Sequence, residues 1–356
     1  MEFALFQLAP WRDPKMPVQE LIRGVVDQVR LAEDVGFDAA WFAEHHFSNL
    51  SVSPSPLMAA AHCGGVTSRI RLGVGVAVLP LYQPMRLVEE IAYADILTGG
   101  RLNVGVGCGS QNHESIGLGT DISLARARWN EAMDIMEMAF DTGEVTYQGE
   151  HFKIPQTAMA VMPEQRPHPP IFVAGMAEEI EVATRIGERG YTPFASAQWM
   201  PAAAVAKKRD GYLEGWKAAG HDPATMPFAV QRVVYVAENA AEAREVAEQA
   251  RYTGRIVAAA KSGKAEFQGC FIAERPLDGE QSVEEILDKA MIGDAEHVAQ
   301  MIVEDARALG TTHFSCFMHL GGTPVERVKG SIRRFGEEVI PLVRKALGET
   351  AAARSA

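Results

Sequence analysis

Several features are scarce or missing in this 356-residue sequence, and each absence excludes a class of protein. The four cysteines, Cys63, Cys108, Cys270 and Cys316, form no C-x-x-C pair, which argues against a zinc site or a disulfide framework. No apolar run approaches the about 18 residues that cross a bilayer. Lysine and arginine total 34 against 46 acidic residues, and the net charge of −12 disfavours binding to nucleic acids or anionic membranes.

Apolar residues are plentiful, at 47% of the chain, which is enough to build one large core. No linker-like composition divides the sequence, so we predict a single domain over residues 1–349 and a disordered tail at 350–356. No basic segment precedes an apolar run at the N-terminus, so the pattern does not predict a secretory signal. We therefore expect a cytoplasmic protein with reduced cysteines.

Short runs rich in Val, Ile and Phe alternate eight times with longer segments of helical periodicity. The predicted strands cover residues 3–8, 39–43, 70–79, 102–107, 171–174, 193–197, 229–237 and 313–319. Runs that are apolar on both faces are typical of parallel sheets covered by helices. Eight such units predict an α/β protein with the (β/α)8 TIM-barrel fold, and a doubly wound sheet is the alternative.

The chain is about 100 residues longer than the about 250 that such a barrel usually needs. We assign the surplus to insertions after strands 4 and 7, at residues 142–170 and 261–293. The second of these is long, rich in glycine and mixed in charge, which is compatible either with a mobile lid or with a plain insertion.

An acid and two histidines, Glu44, His45 and His46, follow predicted strand 2. In a TIM barrel the loops that follow the strands carry the chemistry. Adjacent residues of a strand point to opposite faces, so the two histidines do not readily share one metal ion. Three interpretations remain at this point: a metal ligand, a structural histidine bonded to a buried Glu44, or a polar group that handles protons.

Glycines interrupt predicted strands 3 and 4. Gly73 and Gly75 either let a flat ring lie against the backbone or permit tight packing within the barrel. The G-x-G-x-G run at 105–109 resembles half of a dinucleotide-binding motif, but no helix begins directly after it, so we do not predict a Rossmann site. Arg126 is either a phosphate ligand or a surface residue, and Cys108 is predicted to be a partly buried thiol.

Seven short motifs then occur in order along most of the chain. They are Gly36-Phe37-Asp38, Trp41 with Glu44-His45-His46-Phe47, Leu79-Pro80, Pro84-Met85-Arg86, residues 95–101, Gly119-Thr120-Asp121 and Ile292-Gly293-Asp294. This ordered set resembles the bacterial luciferase-like family of flavin-dependent monooxygenases, whose fold is the (β/α)8 barrel. The resemblance implies that FMN is used as FMNH2, and that oxygen adds at the flavin C4a position to give a peroxide. This peroxide would oxidise a hydrophobic small molecule by hydroxylation, Baeyer–Villiger insertion or aldehyde-type oxidation.

The resemblance also implies roles for individual residues. His45 matches the active-site histidine, and the Gly75–Val76 bond matches a non-proline cis peptide beside the flavin. The residues implied to bind the cofactor are Glu44, Gly75, Val76, Ala77, Cys108, Ser110, Asn112, Arg126, Gly175, Met176 and Ala177. Cys108 replaces a phosphate-binding arginine of luciferases, and Gly107 replaces their reactive cysteine, so light emission is not implied.

The expected partners are a hydrophobic substrate, O2 and a separate NAD(P)H:flavin reductase, because no nicotinamide site is visible in the sequence. Family relatives pair through the region matching the Ala/Gly-rich stretch at 58–66, so a homodimer is expected, and no metal is expected. Three alternatives stay open: hydride transfer with a deazaflavin on the same fold, a metal-dependent barrel hydrolase, and a catalytically silent flavin-binding protein. The identity of the substrate is not fixed by the residues.

Overall fold

The computed structural model describes residues 1–175, 179–198 and 200–348, and within these ranges eight parallel strands close into a barrel. In chain order, barrel strands 1 to 8 are Glu2–Gln7, Ala39–Phe42, Arg71–Val78, Leu102–Gly107, Ile171–Ala174, Thr192–Ser196, Ala229–Val236 and His313–Phe317. Strand 8 pairs with strand 1, where Phe317 is beside Phe6, and strand 6 pairs with strand 7, where Phe194 is beside Ala229. The predicted TIM barrel is confirmed, and the doubly wound sheet is wrong.

Helices cover the outside of this barrel. Their bounds are Val18–Asp34, Pro56–Gly64, Pro84–Leu97, Asn112–Gly117, Ala125–Thr142, Ile180–Arg189, Ala202–Ala218, Ala240–Lys261, Val283–Lys289, Ala295–Leu309, Val325–Arg334 and Ile340–Ala346, and a π-helical turn, Phe335–Val339, joins the last two. Polar side chains begin several of them: Ser55, Asn239 and Asp294 each accept a hydrogen bond from a backbone N–H of the first helical turn. In the described ranges no helix has both the length and the apolar character needed to cross a membrane.

Both predicted insertions contain regular structure. After strand 4, Glu144–Gln148 and Lys153–Ala158 form an antiparallel hairpin. After strand 7, the segment 261–293 contains a short hairpin (Phe267–Gln268 with Phe271–Ile272), the helix Val283–Lys289 and a strand, Met291–Gly293. This last strand pairs in parallel with the end of barrel strand 7. The carboxyl end of the segment therefore belongs to the main sheet, which the sequence pattern does not predict.

Aromatic side chains fill the interior of the barrel. The ring of Trp41 lies 4.8 Å from that of Phe172 and 5.3 Å from that of Phe194, measured between centroids. A Cβ atom on Gly73 would lie 2.2 Å from the Trp41 indole. Interiors are packed too closely to absorb such an overlap, so glycine at this position makes room for the indole. Of the two interpretations of Gly73, tight barrel packing is the correct one.

We expect Gly73→Ala to lower the free energy of unfolding by about 1–3 kcal/mol, because the added methyl group overpacks the barrel interior. The control is Gly254, on the helix Ala240–Lys261, where a Cβ would meet no atom within 4 Å. Gly254→Ala should raise stability by about 0.5–1 kcal/mol, since alanine favours a helix interior. Urea denaturation measures both variants, and a Gly73→Ala protein as stable as the parent would contradict this account of the packing.

Candidate active site

A cavity of about 400 Å³ lies at the carboxyl ends of the barrel strands. This volume falls within the about 300–1,000 Å³ that is usual for small-molecule sites. Its apolar walls come from Phe6, Leu8, Leu50, Phe194 and Val257. Polar side chains and open backbone face it from the other strand ends, which is the arrangement expected of a TIM-barrel active site.

His45 is held on one side of this cavity by a buried carboxylate. Its Nδ1 atom lies 2.9 Å from Oε1 of Glu114, and the same oxygen accepts the backbone N–H of His46 at 3.0 Å. The amide nitrogen of Gln111 lies 3.0 Å from the same Nδ1 atom. Glu114 is 2% exposed, whereas His45 keeps a quarter of its side-chain surface open. When Nδ1–H donates to Glu114, the ring nitrogen left for chemistry is Nε2, which has no partner in the described ranges.

The neighbouring histidine is bonded to the other acid. His46 Nε2 lies 2.9 Å from Oε1 of Glu44, and this hydrogen bond raises the pKa of His46 against the opposing effect of burial. The second oxygen of Glu44 accepts the backbone N–H of Val78 at 3.0 Å and the hydroxyl of Tyr82 at 2.9 Å. Burial raises the pKa of Tyr82, so the phenol stays a donor. Glu44 thus fixes the start of the strand 2 loop to the end of strand 3.

Seven of the implied site residues line the cavity together. They are Glu44, His45, Gly75, Val76, Cys108, Ser110 and Gly175. The Gly75–Val76 peptide bond is cis, as the resemblance implies. Cys108 is partly buried, and burial raises the pKa of its thiol, as expected of a thiol that is not activated.

Three other implied residues do not line this cavity, and their contact with the cofactor stays a prediction. Ala77 is 1% exposed and belongs to the hydrophobic core, because its side chain points away from the cavity. Asn112 begins the short helix Asn112–Gly117 and does not line the cavity. Arg126 also lies off the lining, where its guanidinium is hydrogen-bonded to Glu179. A phosphate group would therefore have to share Arg126 with this carboxylate.

Two residues and one segment singled out in the sequence fall outside the described residues. Met176 and Ala177 were implied to bind the cofactor, and both lie in the gap at 176–178. The tail at 350–356 also lies outside the described part of the chain.

Several cavity residues are not predicted from the sequence. Gln111 precedes the short helix Asn112–Gly117 and Glu114 lies within it, in a connection whose course cannot be read from periodicity, so their approach to His45 is visible only in the fold. Gln231 left a signal, because it and Arg232 are polar residues within the mainly apolar strand 7, Ala229–Val236, and Gln231 is 2% exposed. A buried polar side chain in such a strand needs a partner, which makes it a candidate for function.

No cluster of three or more His, Cys, Asp and Glu side chains in the described part of the chain has the arrangement of a metal site. Glu44, His45, His46 and Glu114 instead pair with one another through the hydrogen bonds given above. The geometry of this group is that of an oriented imidazole rather than of converging metal ligands.

Comparisons with known proteins give consistent results. The sequence profile of the family described as luciferase-like monooxygenase matches residues 1–313. The protein y4vJ of Sinorhizobium fredii is 33% identical over 353 residues, which are 99% of this chain and all of the relative. The oxygenase component of a flavin-dependent trigonelline monooxygenase from Acinetobacter baylyi is 26% identical over 352 residues, with 96% of this chain and 95% of that protein covered.

Solved structures agree with these relatives. The monooxygenase RslO1 from Streptomyces bottropensis has a TM-score of 0.83 and 26% identity, with 96% of this chain and 99% of that chain covered. An F420-dependent secondary alcohol dehydrogenase in complex with an F420–acetone adduct has a TM-score of 0.74 at 21% identity, covering 96% and 99%. The second likeness shows the fold alone.

Proposed function

This chain belongs to the luciferase-like monooxygenase family and is a flavin-dependent monooxygenase, and we propose that it uses FMNH2 delivered by a separate NAD(P)H:flavin reductase. The observation that carries the proposal is the cavity in which His45, fixed by Glu114, faces the wall formed by Gly75 and Val76. The Acinetobacter baylyi relative is described as an oxygenase component, which supports a two-component system. The proposed substrate is a small molecule with a largely hydrophobic body.

The residues around the cavity fit a flavin. A Cβ on Gly175 would meet no described atom within 4 Å, so there is open space beside this residue of the cavity wall. The side-chain amide of Gln111 lines the cavity beside His45, and one of its two ends has no hydrogen-bond partner among the described residues. An amide can donate or accept, so this end suits the polar edge of a flavin ring. Gly75 and Val76 would support the ring, and the backbone near Cys108 and Gly175 would meet the phosphate end.

When bound, reduced FMN supplies the electrons that activate O2. The protein positions the reactants, transfers protons and excludes water from the cavity. Glu114 keeps the proton of His45 on Nδ1, so the imidazole can accept or deliver a proton at Nε2. Phe6, Leu50 and Phe194 form apolar walls that exclude water from the reacting atoms. Exclusion of water directs the oxygen toward the substrate rather than toward release as hydrogen peroxide.

We further propose that the segment 261–293 acts as a lid. Its hairpin contacts the connections that follow barrel strands 2 and 4. Asn49 donates its backbone N–H to Cys270 at 2.8 Å and accepts that of Ile272 at 2.9 Å. The ring of Phe267 lies 5.1 Å from that of His113, between centroids. These contacts hold the hairpin close to the loops that bear the site residues.

The chain is also proposed to form a homodimer through the helices Pro56–Gly64 and Pro84–Leu97. These helices border a groove of about 660 Å³ and expose large apolar side chains: Met58 is 72% exposed, Tyr93 58% and Leu97 49%. A contiguous apolar surface of this kind is typical of a protein–protein interface. Size-exclusion chromatography with light scattering should give twice the mass of the 38.7 kDa chain, whereas a single-chain mass would contradict the dimer.

The proposed function is tested by supplying the purified protein with FMN, a flavin reductase, NADH and oxygen. Aldehydes, cyclic ketones and aromatic compounds are offered as substrates, and oxidised product is measured against hydrogen peroxide. We expect at least one class to give product that requires both FMN and oxygen. The F420-dependent structural neighbour makes deazaflavin-dependent hydride transfer the second candidate. Substrate-dependent turnover with reduced F420 in the absence of oxygen would favour that candidate and contradict the proposal.

A further inference from the structure

The cavity carries a second polar region, opposite His45. Ser196 ends strand 6, Gln198 follows it, and Gln231 lies within strand 7; all three line the cavity together with Lys261, from the helix that follows strand 7. In a ring of eight strands, strand 7 lies across the barrel from strand 3, which carries Gly75 and Val76. This polar region therefore lies across the cavity from the wall assigned to the flavin ring.

Gln231 is a buried donor that is aimed into the cavity without a partner. The Ser196 hydroxyl donates to its side-chain oxygen at 2.8 Å, which fixes the amide and leaves Nε2 as the free end. Nε2 makes no hydrogen bond in the described ranges, and the residue lines the cavity. This N–H is therefore available to an acceptor on a bound molecule.

Lys261 adds a positive charge to the same side of the cavity. It is the last residue of the helix Ala240–Lys261, and Val257, one turn earlier, lines the cavity on the same helical face. No ion pair or hydrogen bond joins the Lys261 side chain to another described residue, and it is the one lysine or arginine among the described lining residues. Neither cavity acid forms an ion pair with Lys261, because the carboxylates of Glu44 and Glu114 are hydrogen-bonded to His46 and His45 on the other side of the cavity.

We propose that the substrate is an organic carboxylate with an apolar body, whose carboxylate is bound by Lys261 and Gln231. The inference rests on the function proposed above and makes its substrate class specific. An ammonium group and an amide N–H both donate, and a carboxylate accepts from both. The apolar body lies against Phe6, Leu50 and Phe194, which places the bond to be oxidised on the side of His45. Lys261 and Gln231 are thus residues that determine specificity.

The test compares matched probes that differ only in charge: 3-phenylpropionate with 3-phenylpropionamide, and octanoate with octanamide. Isothermal titration calorimetry measures their binding to the protein saturated with oxidised FMN. Hydrogen bonds to charged groups predict that each carboxylate binds roughly ten- to a hundredfold more tightly than its amide. The difference should shrink when NaCl is raised, since Lys261 is exposed and its charge is screened.

Three variants test which residues cause the preference for a carboxylate over an amide. Lys261→Met and Gln231→Leu should each reduce the preference for carboxylate by about tenfold. Lys264→Met is the control, because Lys264 is exposed and lies off the cavity lining, and it should keep the full preference. Quenching of flavin fluorescence should give the same FMN affinity for all three variants as for the parent protein.

Two results would overturn the inference. One is equal or weaker binding of the carboxylates, or no carboxylate binding, in the parent protein. The other is a loss of FMN affinity in Lys261→Met or Gln231→Leu, which would assign these residues to the cofactor instead. Failure of the parent protein to bind FMNH2 in the absence of oxygen would contradict the proposed function, and the same titrations without flavin would still decide whether the cavity selects carboxylates.

Discussion

Replacing His45 with alanine is expected to reduce the formation of oxidised product by about 10²- to 10⁴-fold, the range observed when a general acid–base group is lost. Oxygen should still be consumed, and it should appear as hydrogen peroxide. Glu114 binds the imidazole at Nδ1, so Nε2 is the atom on this side of the cavity that can accept or donate a proton. Alanine removes that group and opens space for water beside the reacting atoms.

The measurement is the ratio of product to hydrogen peroxide under FMN, reductase and NADH. His151→Ala is the matched control, because His151 precedes Phe152 and the strand Lys153–Ala158 in the hairpin outside the barrel and lies off the cavity lining. This control should keep the parent ratio. FMN affinity of His45→Ala should change little, which separates a loss of chemistry from a loss of cofactor. An unchanged ratio in His45→Ala would remove His45 from the mechanism.

The largest effect on stability is expected from Asp305→Ala, which should lower the free energy of unfolding by about 3–5 kcal/mol. Asp305 and Arg232 form a buried ion pair, with Nε to Oδ2 at 2.9 Å and Nη2 to Oδ1 at 2.6 Å. The two residues are 6% and 5% exposed. Alanine would leave the guanidinium charged, buried and short of one partner, although it would still donate to the carbonyl of Ala197 at 3.0 Å.

A double variant separates the cost of an unpaired charge from the value of the pair itself. Arg232→Met with Asp305→Leu removes both charges, and buried pairs replaced by apolar residues often cost little. We expect the double variant to be more stable than Asp305→Ala, but below the parent, because the carbonyl of Ala197 loses its donor. Chemical denaturation measures all three proteins. A double variant less stable than Asp305→Ala would show that the pair itself provides the stability.

The barrel was predictable because its strands are apolar on both faces and recur eight times, a pattern that few folds satisfy. The strand Met291–Gly293 was not predicted, since three residues carry no periodicity and its partner is far away in the sequence. Ala77 was predicted at the cofactor because it follows Gly75 and Val76, and the structure places its side chain in the hydrophobic core, which the motif alone does not show.

The candidate site was predictable only in part. His45, Gly75 and Cys108 lie in motifs or at strand ends, and the structure brings them to one cavity. Glu114 contacts His45 because the connections after strands 2 and 4 meet in the fold. No local sequence pattern predicts this meeting. The ion pair of Arg126 with Glu179 likewise joins two segments that are distant in the sequence. Arg126, which is expected to bind phosphate, therefore already has a carboxylate partner.

The most direct test is a crystal structure of the protein with FMN. The isoalloxazine ring should lie in the 400 Å³ cavity, against Gly75 and Val76, with His45 on the open side and the phosphate near Cys108 and Gly175. The side-chain amide of Gln111 should form a hydrogen bond with the ring. A flavin bound at another surface, or a cavity that stays closed to FMN at concentrations that saturate the protein, would contradict this assignment.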